Sequence, residues 1–152
     1  MKRSTLFRTS AGLWAVWGVF HLVIGVYLLF LLSSGRIAEA LHGIAGQMDL
    51  SALDIDYPIG AVATVKQHAF NLAWFGLVTA VGSIWIWKQN VQAAALCAII
   101  GGFGDLGYFI FIDLGDLAVF PGPQMTWIAG SAIALSAYAY FRGESNKASV
   151  ES

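Results

Sequence analysis

Leu96–Asp116 reads Leu-Cys-Ala-Ile-Ile-Gly-Gly-Phe-Gly-Asp-Leu-Gly-Tyr-Phe-Ile-Phe-Ile-Asp-Leu-Gly-Asp. The stretch is apolar enough to cross a bilayer, yet Asp105 sits well inside it, with Gly101, Gly102, Gly104 and Gly107 on the neighbouring turns. A carboxylate in hydrocarbon costs roughly 2.5–3.5 kcal/mol on the insertion scale, so such a group faces partners or water. Glycines on the same turns let neighbouring helices approach closely. The polar residues within the other apolar runs, His21, His68 and Asn71, are the available partners.

The rest of the composition agrees with a membrane setting. Of 152 residues, 58% are hydrophobic and 11% charged, against about 25% charged in a soluble domain. The charge is missing from whole segments of spanning length, the pattern of transmembrane helices. A net charge of −1 leaves no basic footprint for nucleic acid. One cysteine, Cys97, excludes an intrachain disulfide and a Cys-based zinc or iron–sulfur site.

Taken in order, Met1–Ser10 is short and basic, and the apolar run 11–32 is longer than a signal-peptide core, so it reads as a retained first span. Trp14, Gly18, His21 and Gly25 share one helical face. Ile37–Ala45 is amphipathic and reads as a segment lying on the outer surface. Residues 46–60 carry Asp49, Asp54, Asp56 and Pro58 and read as loop, although Pro58 is a possible helix start. The second apolar span is 67–87 and Lys88-Gln89-Asn90 is a tight connection to the third, 91–113. Pro121-Gly122-Pro123 reads as a stiff, non-helical turn before a fourth span at 125–141, and Arg142–Ser152 as a mobile polar tail. The fold class expected is therefore an all-α membrane protein: a single-domain four-helix transmembrane bundle with a short amphipathic outer segment between helices one and two.

Four spans put both termini on one side together with Lys2, Arg3, Arg8, Lys88, Arg142 and Lys147, six of the eight basic residues. By the positive-inside rule that side is cytoplasmic, in a bacterial inner membrane. At about 1.5 Å per residue, Asp105 then lies about 12 Å and His21 about 16 Å below the outer boundary. His68 lies at the rim, with Asn71 one turn in, and Tyr108 follows Asp105 on the same face. These five residues, His21, His68, Asn71, Asp105 and Tyr108, are the candidate binding site. They would line one pocket in the outer half, closed below by Trp14, Trp74 and Phe75.

An Asp105–His21 hydrogen-bonded couple is suited to holding or passing one proton; the plainer reading is that Asp105 satisfies His21 or Asn71 and sets helix register. Haem or metal is not favoured: no helix carries a ligand pair at i, i+3 or i, i+4, and His68 is about 15 Å shallower than His21 in this placement. The glycine run lacks the strand and the Lys-Ser/Thr of a nucleotide loop, and the tryptophans read as interfacial and packing residues.

The Gly18-x-x-His21-x-x-x-Gly25 helix, the amphipathic segment and Trp74-Phe75-Gly76 resemble small four-helix bacterial membrane proteins, a resemblance that implies a fold and no activity. The chain departs from sterol-isomerase-like membrane proteins in having no acidic residue on its first two spans. The function expected is a lipid-binding or small-ligand-binding module, or an accessory subunit of a membrane-protein partner. The bilayer is its medium, and a small apolar ligand or a second copy is a possible partner. The alternatives are a small intramembrane acid–base enzyme acting on a lipid-like substrate and a dimeric proton-coupled carrier. Whether the chain is an enzyme, and which cofactor if any it uses, stays open at this point.

Overall fold

The structure is a computed structural model that describes the backbone of residues 2–151 and the side chains of residues 2–143. The regular structure of the described residues is all helical, with no strand among them. The helices are α1 (Arg3–Ser33), α2 (Ile37–Ile44), α3 (Leu50–Leu53), α4 (Ile59–Trp87), α5 (Val91–Tyr108) and α6 (Gly122–Glu151); α5 continues into a π-helical turn, Phe109–Asp113. Three of them, α1, α4 and α5 with its π turn, are long and apolar enough to cross a membrane.

Beside a core that includes Leu6, Phe7, Trp14, Trp17, Leu28, Leu31 and Ile86, these three helices expose long apolar faces. On α5 the buried residues are Ala94, Cys97, Gly101 and Asp105, while Leu96, Ile99, Phe103 and Leu106 are exposed. On α1, Val16, Val19, Val23, Val26 and Phe30 form an exposed stripe at spacings of three and four, opposite buried Trp14, Gly18, His21 and Gly25. Small and polar residues inside with large aliphatic ones outside is the arrangement lipid favours, because lipid solvates Val and Leu as well as a core would. The sixth helix packs along α1 and α5 but falls outside the set apolar enough to cross, its alanines being interleaved with Gly130, Ser131, Ser136, Tyr138 and Tyr140.

The closest pairing is α1 against α4. A side chain at Gly18 would meet the backbone of Gly76 and Ala80, one at Gly25 that of Ala69 and Ala73, and one at Gly76 that of Gly18, His21 and Leu22. The two backbones are thus in van der Waals contact over about two turns, which only small residues permit. At the end carrying the N-terminus, Arg8 lies 5.5 Å over the Trp87 ring and Ser10 Oγ donates to the Ala132 carbonyl at 2.8 Å, tying α1 to α4 and α6. Turns at both ends are closed by standard caps. Gly35, at φ 76°, ends α1 while the Arg36 N–H reaches the Leu31 carbonyl at 2.9 Å. Asn90 caps α5 by accepting from the Ala93 N–H at 2.9 Å.

Several boundaries differ from those expected. The second long helix begins at Ile59, with Pro58 as its N-cap, and so adds two turns, Ile59–Lys66, before the apolar run 67–87. The loop 46–60 contains the short helix α3, started by Asp49, whose carboxylate accepts from the Ser51 N–H at 2.9 Å. Pro121-Gly122-Pro123 does not stay outside the helix: α6 begins at Gly122. Pro123 lies in the first turn, where the N–H it lacks would have had no helical partner. The expectation of a mobile tail at Arg142–Ser152 concerns side chains mostly outside the described ones; the backbone of α6 runs to Glu151.

Gly76→Val, which pushes a side chain into the α1 backbone, is expected to destabilise the protein by about 1–3 kcal/mol, or to prevent assembly. Gly12→Ala meets no atom within 4 Å and is expected to leave thermal unfolding in detergent unchanged or slightly raised. Equal losses for the two variants would contradict the close α1–α4 contact.

Candidate functional site

Asp105 is buried between α5 and α1, and its two oxygens have different neighbours. The Trp17 indole N–H donates to Oδ2 at 2.7 Å. His21 Nε2 faces Oδ1 at 3.7 Å, longer than a direct hydrogen bond. One turn of helix separates Trp17 from His21, so their rings stack, with centroids 3.7 Å apart and planes 20° from parallel. The other imidazole nitrogen, Nδ1, is 2.8 Å from the Trp17 carbonyl oxygen, which can only accept, so Nδ1 carries a proton. Nε2 therefore presents its variable position to the carboxyl group. With no proton between them, two lone-pair atoms would face each other; with one, the pair attracts. The Nε2···Oδ1 approach is a juxtaposition of an imidazole and a carboxyl group, not a formed hydrogen bond.

The surroundings are buried and aromatic. Trp14 and Trp17 are fully buried and meet edge to face at 5.7 Å, and Phe20 stands edge-on to His21 at 5.6 Å. Trp14 packs on Gly101, where any side chain would displace it, and this brings α5 close enough for Asp105 to reach α1. Trp17 is the residue that sequence reasoning missed. Its signal was its place four residues before His21, on the face already marked by Trp14, Gly18 and Gly25.

The other candidate residues lie elsewhere. Asn71 accepts from the Trp74 indole N–H on its own helix at 3.1 Å, not from the Asp105 pair. His68 is exposed; because α4 starts early, it sits inside the helix, not at a rim. The Gly25–Ala69 and Gly76–His21 contacts put it level with the Leu28 turn of α1, about 10 Å along the axis from His21. The Tyr108 hydroxyl packs against Gly122 at the start of α6. No group of three His, Cys, Asp or Glu able to hold a metal occurs among the described residues.

A second feature lies at the end of the helices that carries α2 and α3. A cleft of about 570 Å³ opens there, lined among others by Gln47, Phe109, Asp113, Asp116, Pro123 and Trp127. Two chain segments distant in sequence meet to form it: the Gln47 N–H donates to the Leu117 carbonyl at 3.1 Å, and Gly46 packs against Val119. Phe109 and Asp113, four residues apart in the π turn, both line it. Asp113 Oδ1 is shielded from solvent and has no hydrogen-bond partner, and the Thr126 hydroxyl is 3.4 Å from Oδ2. Neither His21 nor Asp105 lines this cleft. Nearby, hydrogen bonds from Ser51 hold the Asp49 carboxyl below its usual range, and the Arg36 guanidinium does the same for exposed Glu39.

No family model, curated protein or solved structure matches the chain.

Trp17→Phe keeps the ring but removes the donor to Asp105, and is expected to cost about 1–3 kcal/mol, the penalty of an unsatisfied buried acceptor. Thermal unfolding in a mild detergent measures it. A loss no larger than that of a conservative change on the exposed Val stripe, such as Val23→Leu, would contradict the role given to the indole N–H.

Proposed function

We propose that the chain is a four-span bacterial inner-membrane protein, termini cytoplasmic, that binds a small ligand at the periplasmic end of its bundle, alone or as an accessory subunit. The observation that carries the binding reading is the cleft of about 570 Å³, an open groove where Gln47, Asp113 and Asp116 stand beside Phe109, Leu114 and Trp127; its volume is within the size range of small-molecule sites. The orientation rests on charge: Lys2, Arg3, Arg8, Lys88 and Arg142 belong to the opposite end, with Glu39, Asp49, Asp54, Asp56, Asp113 and Asp116 at the cleft end. In this reading α6 completes the bundle as a fourth span, and the Asp105–Trp17–His21 cluster holds α1 and α5 in the register that shapes the cleft above.

A second reading is favoured by one observation, the 3.7 Å approach of the buried His21 imidazole to the Asp105 carboxyl group. It makes these two residues the acid–base couple of an intramembrane enzyme or proton-coupled carrier.

Ala118 lines the cleft, and Ala118→Trp is expected to fill it. Native mass spectrometry of the protein released from lipid nanodiscs should show a small-molecule adduct on the wild type that is lost in Ala118→Trp. Only bulk phospholipid adducts, equal in both proteins, would contradict the binding reading. Acid-driven proton uptake by proteoliposomes, abolished in Asp105→Asn and untouched by Ala118→Trp, would favour the second reading instead.

A further inference from the structure

We infer that a groove between α4 and α5 holds one acyl chain of an acidic phospholipid of the surrounding bilayer, whose phosphate meets Lys88. The groove encloses about 220 Å³ and is lined on α4 from Leu77 to Trp85 and on α5 by Ala93 and Leu96, with no charged residue among them. Val78, Val81, Trp85 and Lys88 follow one another at spacings of three, four and three, so one stripe of α4 runs along the groove to the lysine. Leu77 lies about 16 Å from Lys88 along the helix axis. That is close to the depth of one leaflet in a hydrocarbon core about 30 Å thick.

Two polar groups wait where the apolar lining ends. Lys88 is exposed and makes no ion pair among the described residues, and the half-exposed Trp85 indole N–H has no hydrogen-bond partner among them. A cation and a donor one turn apart suit the oxygens of a phosphodiester at the membrane surface. The whole end is basic: Arg3, Arg8, Lys88 and Arg142 belong to it, and no Asp or Glu with a described side chain does. A partner helix fits less well, since a slot of this volume is a few ångströms across, against about 10–12 Å for an α-helix. A zwitterionic lipid would fill the groove equally, but brings its own cation beside the phosphate. The groove and the cleft lie at opposite ends of the bundle, so the two sites are independent.

The test is native mass spectrometry of the full chain released from nanodiscs of equimolar phosphatidylglycerol and phosphatidylcholine with identical acyl chains. The wild type is expected to retain one phosphatidylglycerol in preference to phosphatidylcholine. Lys88→Gln should lower that preference about fivefold, the effect of one basic residue near an acidic surface. Lys2→Gln removes the same charge from the same end but away from the groove, and should leave the preference unchanged. Ala93→Phe fills the groove and should abolish retention of both lipids while leaving thermal unfolding unchanged. Leu96→Trp, at a half-exposed position, does the same if Ala93→Phe fails to fold. Equal retention of the two lipids by the wild type would overturn the inference. So would equal losses in Lys88→Gln and Lys2→Gln, which mark bulk attraction to the surface, or full retention in both groove-filling variants. A wild-type dimer that carries no lipid and is lost in Ala93→Phe would assign the groove to a second copy of the chain, again overturning it.

Discussion

A carboxylate placed among apolar side chains must find donors or a proton before the helix that carries it can settle. In this chain that demand falls on Asp105, and the answer comes from one face of α1: an indole N–H on one oxygen and an imidazole opposite the other. The hydrogen bond from Trp17 is short and shielded, so it acts in surroundings where water cannot compete for either group. Interhelical polar contacts in membranes are modest in energy on average. Their larger effect here is geometric: only one rotation and depth of α5 relative to α1 lets Asp105 reach Trp17.

That geometry depends in turn on small residues. Gly18, Gly25 and Gly76 allow α1 and α4 to touch backbone to backbone, and Gly101 gives Trp14 a place to lie against α5. Each of these contacts is lost if a side chain intervenes. Trp14 thus occupies the space that Gly101 leaves open, and Trp17, edge to face with it, carries the polar cluster. Many large aliphatic residues, the α1 valines among them, face outward, while Leu6, Leu28, Leu31, Leu32 and Ile86 fill the space between helices.

Much of the helix pattern was legible in the sequence because apolar runs of spanning length are a strong signal and the intervening polar stretches are short. Helix ends were less legible. The start of α4 at Ile59 follows Pro58, while Lys66-Gln67-His68 interrupts the apolar pattern farther along the same helix, and the entry of Pro123 into α6 reflects the tolerance of a first turn for proline. At the site, an intramembrane Asp announces that a partner exists but not which one. Trp17 was obscured because tryptophan in an apolar helix usually marks an interface, and Asn71 because a neighbour on its own helix, Trp74, takes its carbonyl. The cleft was not legible at all. It depends on the Gln47–Leu117 and Gly46–Val119 contacts, which join segments with two long helices between them.

The indole hydrogen bond to Asp105 is the contact on which the helix arrangement depends, and solid-state NMR of indole-15N-labelled protein in bilayers measures it most directly. Trp17 is fully buried and Trp127 is 75% exposed, so the same spectrum carries its own reference. The Trp17 indole proton is expected to be shifted downfield, to resist deuterium exchange long after that of Trp127 has gone, and to move upfield in Asp105→Leu. A Trp17 indole that exchanges as fast as Trp127 and ignores the Asp105 substitution would contradict the structure's central contact.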